Sequence, residues 1–189
     1  MTRTRNLVPA VCDSQRCIMN SLLGGGIVCA GVGNILLAAS TATDYWMQYH
    51  QASGYMHQGL WHFCVPGKCI INTENIGFLN GVGIYMIMAN ITGILGMFLG
   101  IMAFFNYNTV VRLNRTFFAA FLYYLSFFYV LPAMVTYTLM TVYYYEKQYE
   151  NWRFSWSYLT GWVSVVFTFF SGIFFVCARR IHSPTGTEV

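Results

Sequence analysis

Four stretches of this chain carry no charged side chain at all: residues 18–43, 78–105, 117–143 and 155–178. Each exceeds the roughly 20 apolar residues that cross a hydrocarbon layer as a helix. Backbone groups in lipid must be satisfied within the segment, so runs of this kind fold as helices. The chain is thus read as an integral membrane protein with four spans. Its composition agrees: 57% of its residues are hydrophobic and 8% are charged, against about 25% charged in soluble domains. A formal charge of +4 on such a chain does not point to nucleic acid. It matters only through where the basic residues fall.

Arg3, Arg5 and Arg16 precede the first span, Arg112 and Arg115 lie between the second and third, and Arg179 and Arg180 follow the fourth. Lys68, Lys147 and Arg153 occupy the two remaining connections. The excess of basic residues on one side predicts that both termini are cytosolic. Residues 1–17 then form a cytosolic amino tail and 183–189 a cytosolic carboxyl tail. They flank one four-span domain, 18–182, with outer loops at 44–77 and 144–154.

The first outer loop is too long for a hairpin and too aromatic for a linker. Short strands near residues 46–49, 59–64 and 69–72 would make a small antiparallel β-sheet on the membrane surface. Within it, Pro66-Gly67 is a strong turn signal that folds Cys64 back toward Cys69. On the outer side a disulfide persists; with the opposite topology the pair would be free thiols. Cys12, Cys17 and Cys177 fall on the cytosolic side, either as palmitoylation candidates or as plain thiols. The sequons at Asn90 and Asn114 fall inside a span and in the cytosolic loop, so neither is expected to carry a glycan.

Small residues mark the helix contacts. Gly24 and Gly26 in the first span, and Gly96 and Gly100 in the second, allow close backbone approach, either within the bundle or between copies. Asn34 is the strongly polar residue of the first span and fits a hydrogen bond to another helix. Pro132 should kink the third span. Trp152, Arg153, Trp156 and Tyr158 read as an interfacial belt opening the fourth.

No constellation of catalytic residues appears. The spans hold no ionisable acid or base for a relay, and no phosphate loop or paired buried carboxylates occur, so an enzyme is not expected and no cofactor is called for. His50, His57, His62 and Cys64 have irregular spacing, which fits an interaction loop better than a metal site.

The pattern Gly59-Leu60-Trp61, Cys64, Cys69 resembles the signature of the claudin superfamily, which includes the peripheral myelin and epithelial membrane proteins. Ala42-Thr43-Asp44, Trp46-Met47-Gln48-Tyr49 and Trp152-Arg153-Phe154-Ser155-Trp156-Ser157-Tyr158 resemble its lens-fibre branch. The resemblance spans about residues 19–182. It implies a left-handed four-helix bundle topped by an outer sheet, with Trp46, Gly59, Leu60 and Trp61 in its packing. Trp61 would plug the space between sheet and bilayer or serve as a simple interfacial anchor, and a Cys64–Cys69 bond would hold the strands. It also implies a structural role at cell contacts, with homo-oligomers or other membrane proteins as partners, or else an auxiliary role beside a channel or in trafficking. The cysteines stand closer together than in most claudins, so pore selectivity is not carried over, and nothing in the amino tail matches.

Overall fold

The computed structural model describes residues 7–51, 54–71, 77–145 and 151–182, with side chains described at 17–50, 54–71, 77–144 and 151–181. The described chain runs α1 (Leu7–Ala42), β1 (Met47–Gln51), β2 (Gly54–Gln58), β3 (His62–Val65), β4 (Lys68–Ile71), α2 (Gly77–Phe104), α3 (Thr109–Tyr145), β5 (Trp152–Phe154) and α4 (Trp156–His182). All four helices are long and apolar enough to cross a membrane. They pack as two main pairs, α1 along α4 and α2 along α3. The sheet sits at the end where α1 and α3 finish and α2 and α4 begin.

Several helices outrun the apolar stretches that announced them. α1 begins at Leu7, inside the segment read as a tail, and α3 begins at Thr109, eight residues before the expected start at 117. Lack of charge marks hydrocarbon thickness, whereas a helix continues into water until its own backbone signals end it. α3 runs as one helix through Pro132.

Two apolar cores fill the bundle. One, next to the sheet, gathers Leu37, Met86, Val130, Met134 and Tyr137 with Trp46 and Leu60 from the loop. The other, at the far end, gathers Leu23, Ala30, Ala119, Tyr123 and Phe175. Between them Asn34 Nδ2 donates to Tyr123 OH at 3.1 Å, tying α1 to α3. Asn90 Nδ2 donates to Thr41 Oγ1 at 2.9 Å, tying α2 to α1. Ser126 Oγ donates to the Ala89 carbonyl and Ser171 Oγ to that of Gly26. Buried hydroxyls are thus satisfied within the bundle, as a water-free interior requires.

Three of the four glycines expected at helix contacts lie against large side chains. A Cβ at Gly26 would approach Phe174 Cβ at 3.2 Å, one at Gly96 would approach Tyr123 at 3.0 Å, and one at Gly100 would approach Phe175 at 2.7 Å. Gly24 is the exception, since a side chain there would meet nothing within 4 Å. The close approach expected at Gly24 is therefore not made inside the bundle.

The sheet is antiparallel throughout, in the order β4-β3-β2-β1-β5. The sequence anticipated β1, β3 and β4 but neither β2 nor β5. β2 (Gly-Tyr-Met-His-Gln) contains no β-branched residue, so its strand state comes from pairing on both sides rather than from propensity. β5 is a three-residue strand from a distant part of the chain, pairing Trp152 with Tyr49 and Phe154 with Met47. A contact of that sequence separation leaves no local signal. Gly59, Leu60 and Trp61, expected within a strand, form instead the bend between β2 and β3.

Candidate functional site

The candidate site is the sheet together with the residues that bolt it to the helices. Its tip is the β3–β4 hairpin, closed by Pro66-Gly67, with Gly67 at φ 86°. That positive φ is what the second central turn position demands of a glycine. Cys64 and Cys69 face each other in the ladder and are joined by a disulfide, with a Cα–Cα distance of 4.1 Å. His57 stands opposite Cys64 on β2. Its ligand atoms and the two sulfurs lie within 4.8 Å of one another, but sulfurs joined to each other are not thiolates and do not offer a metal their usual bonds. The other two histidines lie elsewhere. His62 Nδ1 is 2.9 Å from Asp44 Oδ2, and His50 meets Tyr55 edge to face.

Trp46 is fully buried. Its Nε1 donates to the Ser40 carbonyl at 2.8 Å, and its ring meets Tyr137 edge to face at 4.6 Å. Trp46 also joins two strands, because its N–H donates to the Gln58 carbonyl and its own carbonyl accepts from Ser155 N. Trp61 is half-buried; its Nε1 donates to the Thr41 carbonyl at 2.7 Å. The Trp61 ring lies on α2, where a Cβ at Gly83 would be 2.7 Å from Cη2. Each indole thus caps a carbonyl of the last turn of α1, one of the groups a helix end leaves without an internal partner. The bend residue Leu60 is 1% exposed and completes the core beneath the sheet.

Gly59 is fixed by a closer contact. A Cβ there would fall 2.3 Å from Asp44 Cα and 2.4 Å from Asp44 Oδ1. Asp44 in turn accepts from the backbone N–H of His62, and Gly59 N donates to the His62 carbonyl at 2.9 Å. The end of α1, the bend and the start of β3 therefore form one hydrogen-bonded knot in which only a glycine fits.

The residues expected as an interfacial belt divide between surface and interior. Trp156 is exposed and stacks on Tyr45 at 6.1 Å. Arg153 is exposed on β5 opposite Gln48. Trp152 instead packs against Met47, Tyr49 and Met56 under the sheet. Tyr158 is a core residue, 8% exposed, with its ring stacked on Phe154 at 4.0 Å and its hydroxyl 2.9 Å from Thr138 Oγ1. Tyr158 is interior rather than interfacial because α4 begins only at Trp156 and Tyr158 falls on the side of that helix facing Trp46 and Tyr137. Ser157, not singled out from the sequence, ties α4 to α1. Its carbonyl accepts from Ser40 Oγ at 2.7 Å and its hydroxyl lies 2.8 Å from Thr43 Oγ1.

At the far end, Cys17 is an exposed thiol and Cys177 a partly buried one. Cys12 falls on α1 outside the residues whose side chains are described.

What this arrangement offers is a clamped sheet tied to the helix ends. Its apolar anchors point into the bundle, while Tyr45, Tyr55, Ile70 and Ile71 are exposed. Comparison with known proteins agrees with the fold. Residues 19–175 match the PMP-22/EMP/MP20/Claudin family. The chain is 45% identical to bovine lens fiber membrane intrinsic protein over 164 residues, covering 87% of this chain and 95% of that relative. It is 31% identical to human claudin domain-containing protein 2 over 168 residues, covering 89% and 93%. It is 25% identical to zebrafish epithelial membrane protein 2 over 150 residues, covering 77% and 89%. With its four apolar helices, its sheet and its clamped Gly59–Cys69 segment, the chain belongs to the PMP-22/EMP/MP20/Claudin family.

Proposed function

We propose that this protein is a non-enzymatic component of plasma-membrane contacts between cells, with the sheet outside and both termini in the cytosol. The observation that carries the reading is the outer edge of the sheet. All four residues of β4 are exposed, with Ile70 and Ile71 at 45% and 67%, on a hairpin fixed by a disulfide and anchored to the helices through two buried or half-buried indoles. Exposed aliphatic side chains on a pre-ordered edge strand suit association with another protein, because little entropy is lost when a rigid surface binds. The orientation is supported by the distribution of arginines and lysines, and by the disulfide, which an oxidising compartment preserves. A second copy of the chain is the partner favoured, in the same membrane or across the gap between cells.

Localisation in mixed culture tests this. A tagged chain should concentrate where two expressing cells touch, and not where an expressing cell touches a non-expressing one. Replacing Ile70 and Ile71 by serine should remove that enrichment while leaving surface delivery intact. Uniform surface staining of the unaltered chain would overturn the contact reading. It would favour an auxiliary role beside a larger membrane partner, to be sought by co-purification.

A further inference from the structure

At the end of the bundle away from the sheet, α3 and α4 leave a groove of about 460 Å³. Its walls are Phe117, Phe121, Tyr124 and Val176, and small Ala120 makes its floor. Tyr124 lies across Gly172, whose Cβ would meet the ring at 3.3 Å, which closes the groove on the α4 side. Phe117 and Phe121 are 44% and 56% exposed, so the groove opens on the outer surface of the bundle rather than into its core. Two cations stand at its mouth: the Arg179 guanidinium is 4.2 Å from the centroid of the Phe117 ring, and Arg180 is exposed beside it.

Depth separates these parts. The apolar length of α4 runs to Ile181, so Arg179 and Arg180, with the Phe117 ring that Arg179 covers, stand at the head-group boundary, while Phe121, Tyr124 and Val176 lie about one turn or more further in, toward the acyl chains. A guanidinium stacked on a ring is held in place while its N–H donors, which lie in its own plane, stay available. The other described arginines of this end are engaged between helices. Arg112 bonds Asn20 of α1, and Arg115 reaches the Met102 carbonyl of α2 at 3.4 Å. Among residues whose side chains are described, the one acid, Asp44, is at the opposite end.

A guanidinium held on a ring, with a second exposed arginine beside it, at the mouth of an apolar, lipid-facing groove matches one chemical class. We propose that this groove binds an anionic phospholipid of the leaflet on the side of the termini. Arg179 and Arg180 hold its phosphate and head-group carboxylate, and an acyl chain lies against Phe121 and Val176. Basic pockets between membrane helices recognise anionic lipids through this combination of charge and apolar contact.

The full chain, purified in detergent and stripped of lipid, tests this by native mass spectrometry. It is titrated with phosphatidylserine and with phosphatidylcholine of identical acyl chains. The unaltered protein should retain phosphatidylserine about tenfold better. R179Q/R180Q should abolish the preference, and R153Q at the other end should leave it. Phe121→Ala, at an exposed position, should weaken retention of both lipids while keeping their ratio. Equal retention of the two lipids by the unaltered protein would overturn the proposal, as would a preference that survives R179Q/R180Q. Glycerophosphoserine competing as well as the intact lipid would also overturn it, because the groove would then contribute nothing beyond an anion site.

Discussion

The indole of Trp61 lies so close to Gly83 that a methyl group on that glycine would sit 2.7 Å from Cη2 and 3.1 Å from Cζ3. The ring cannot simply swing away, because its Nε1 is bonded to the Thr41 carbonyl at 2.7 Å. Gly83→Ala should therefore break the seat of the sheet on α2, at a cost of about 1–3 kcal/mol for an overpacked contact. Gly81→Ala is the matched control. It is on the same helix with nothing within 4 Å, and alanine is about 1 kcal/mol the better helix former. Thermal unfolding of the purified proteins should show a lower midpoint for Gly83→Ala and an equal or higher one for Gly81→Ala. Equal midpoints for the two variants would contradict the seat.

The bend residue Gly59 should tolerate even less. There the clash is with backbone, at 2.3 Å from Asp44 Cα, and no side-chain rotation relieves it. Gly59→Ala should separate the end of α1 from β3 and yield aggregated rather than monodisperse protein on size-exclusion chromatography. Gly67→Ala makes the contrast. Its position is open to solvent but held at φ 86°, so the cost is confined to about 1–2 kcal/mol of backbone strain. That variant should still purify as a single species.

Those two glycines also show where sequence reasoning ends. The four helices were legible because lipid imposes a length and forbids charge, and both constraints are written along the chain. The hairpin clamp was legible because turn chemistry and cysteine spacing are local. Gly59 was visible only as part of a resemblance, since its contact with Asp44 crosses the chain from the end of α1. β5 and Tyr158 were misread for the same reason. An aromatic run beside a span looks like an interfacial belt until β1 supplies a pairing partner and Trp46 and Tyr137 supply a core. Gly24 and Gly26 differ by two residues and face different surroundings, which a count of small residues does not distinguish.

Between the two cores, Asn34 and Tyr123 form a buried polar contact between α1 and α3. Interhelical hydrogen bonds in membranes average about 0.6 kcal/mol and reach about 2, so the pair should stitch the helices rather than dominate stability. A double-mutant cycle with Asn34→Ala and Tyr123→Phe, read by unfolding in sodium dodecyl sulfate, should give a favourable coupling within that range. Zero coupling would mean that the two side chains are neighbours without interacting.

The disulfide closes a loop of sequence separation 5. Chain-entropy reasoning assigns so short a loop only about 2 kcal/mol, far less than the loss of four apolar helices would cost. Cys64→Ser should thus leave membrane insertion intact and act on the sheet alone. Without the covalent tie, the exposed edge strand β4 is held by β3 on one side only, and the hairpin should fray. The expected phenotype is a protein that inserts fully, as read by resistance to alkaline carbonate extraction, yet reaches the cell surface poorly by biotinylation. Cys69→Ser should match it, and the double variant should be no worse than either, since all three remove the same bond. If single variants reached the surface at the normal level and clustered normally at cell contacts, the clamped edge would not be the contact surface. A double variant that recovered what each single variant lost would instead assign the defect to the unpaired thiol.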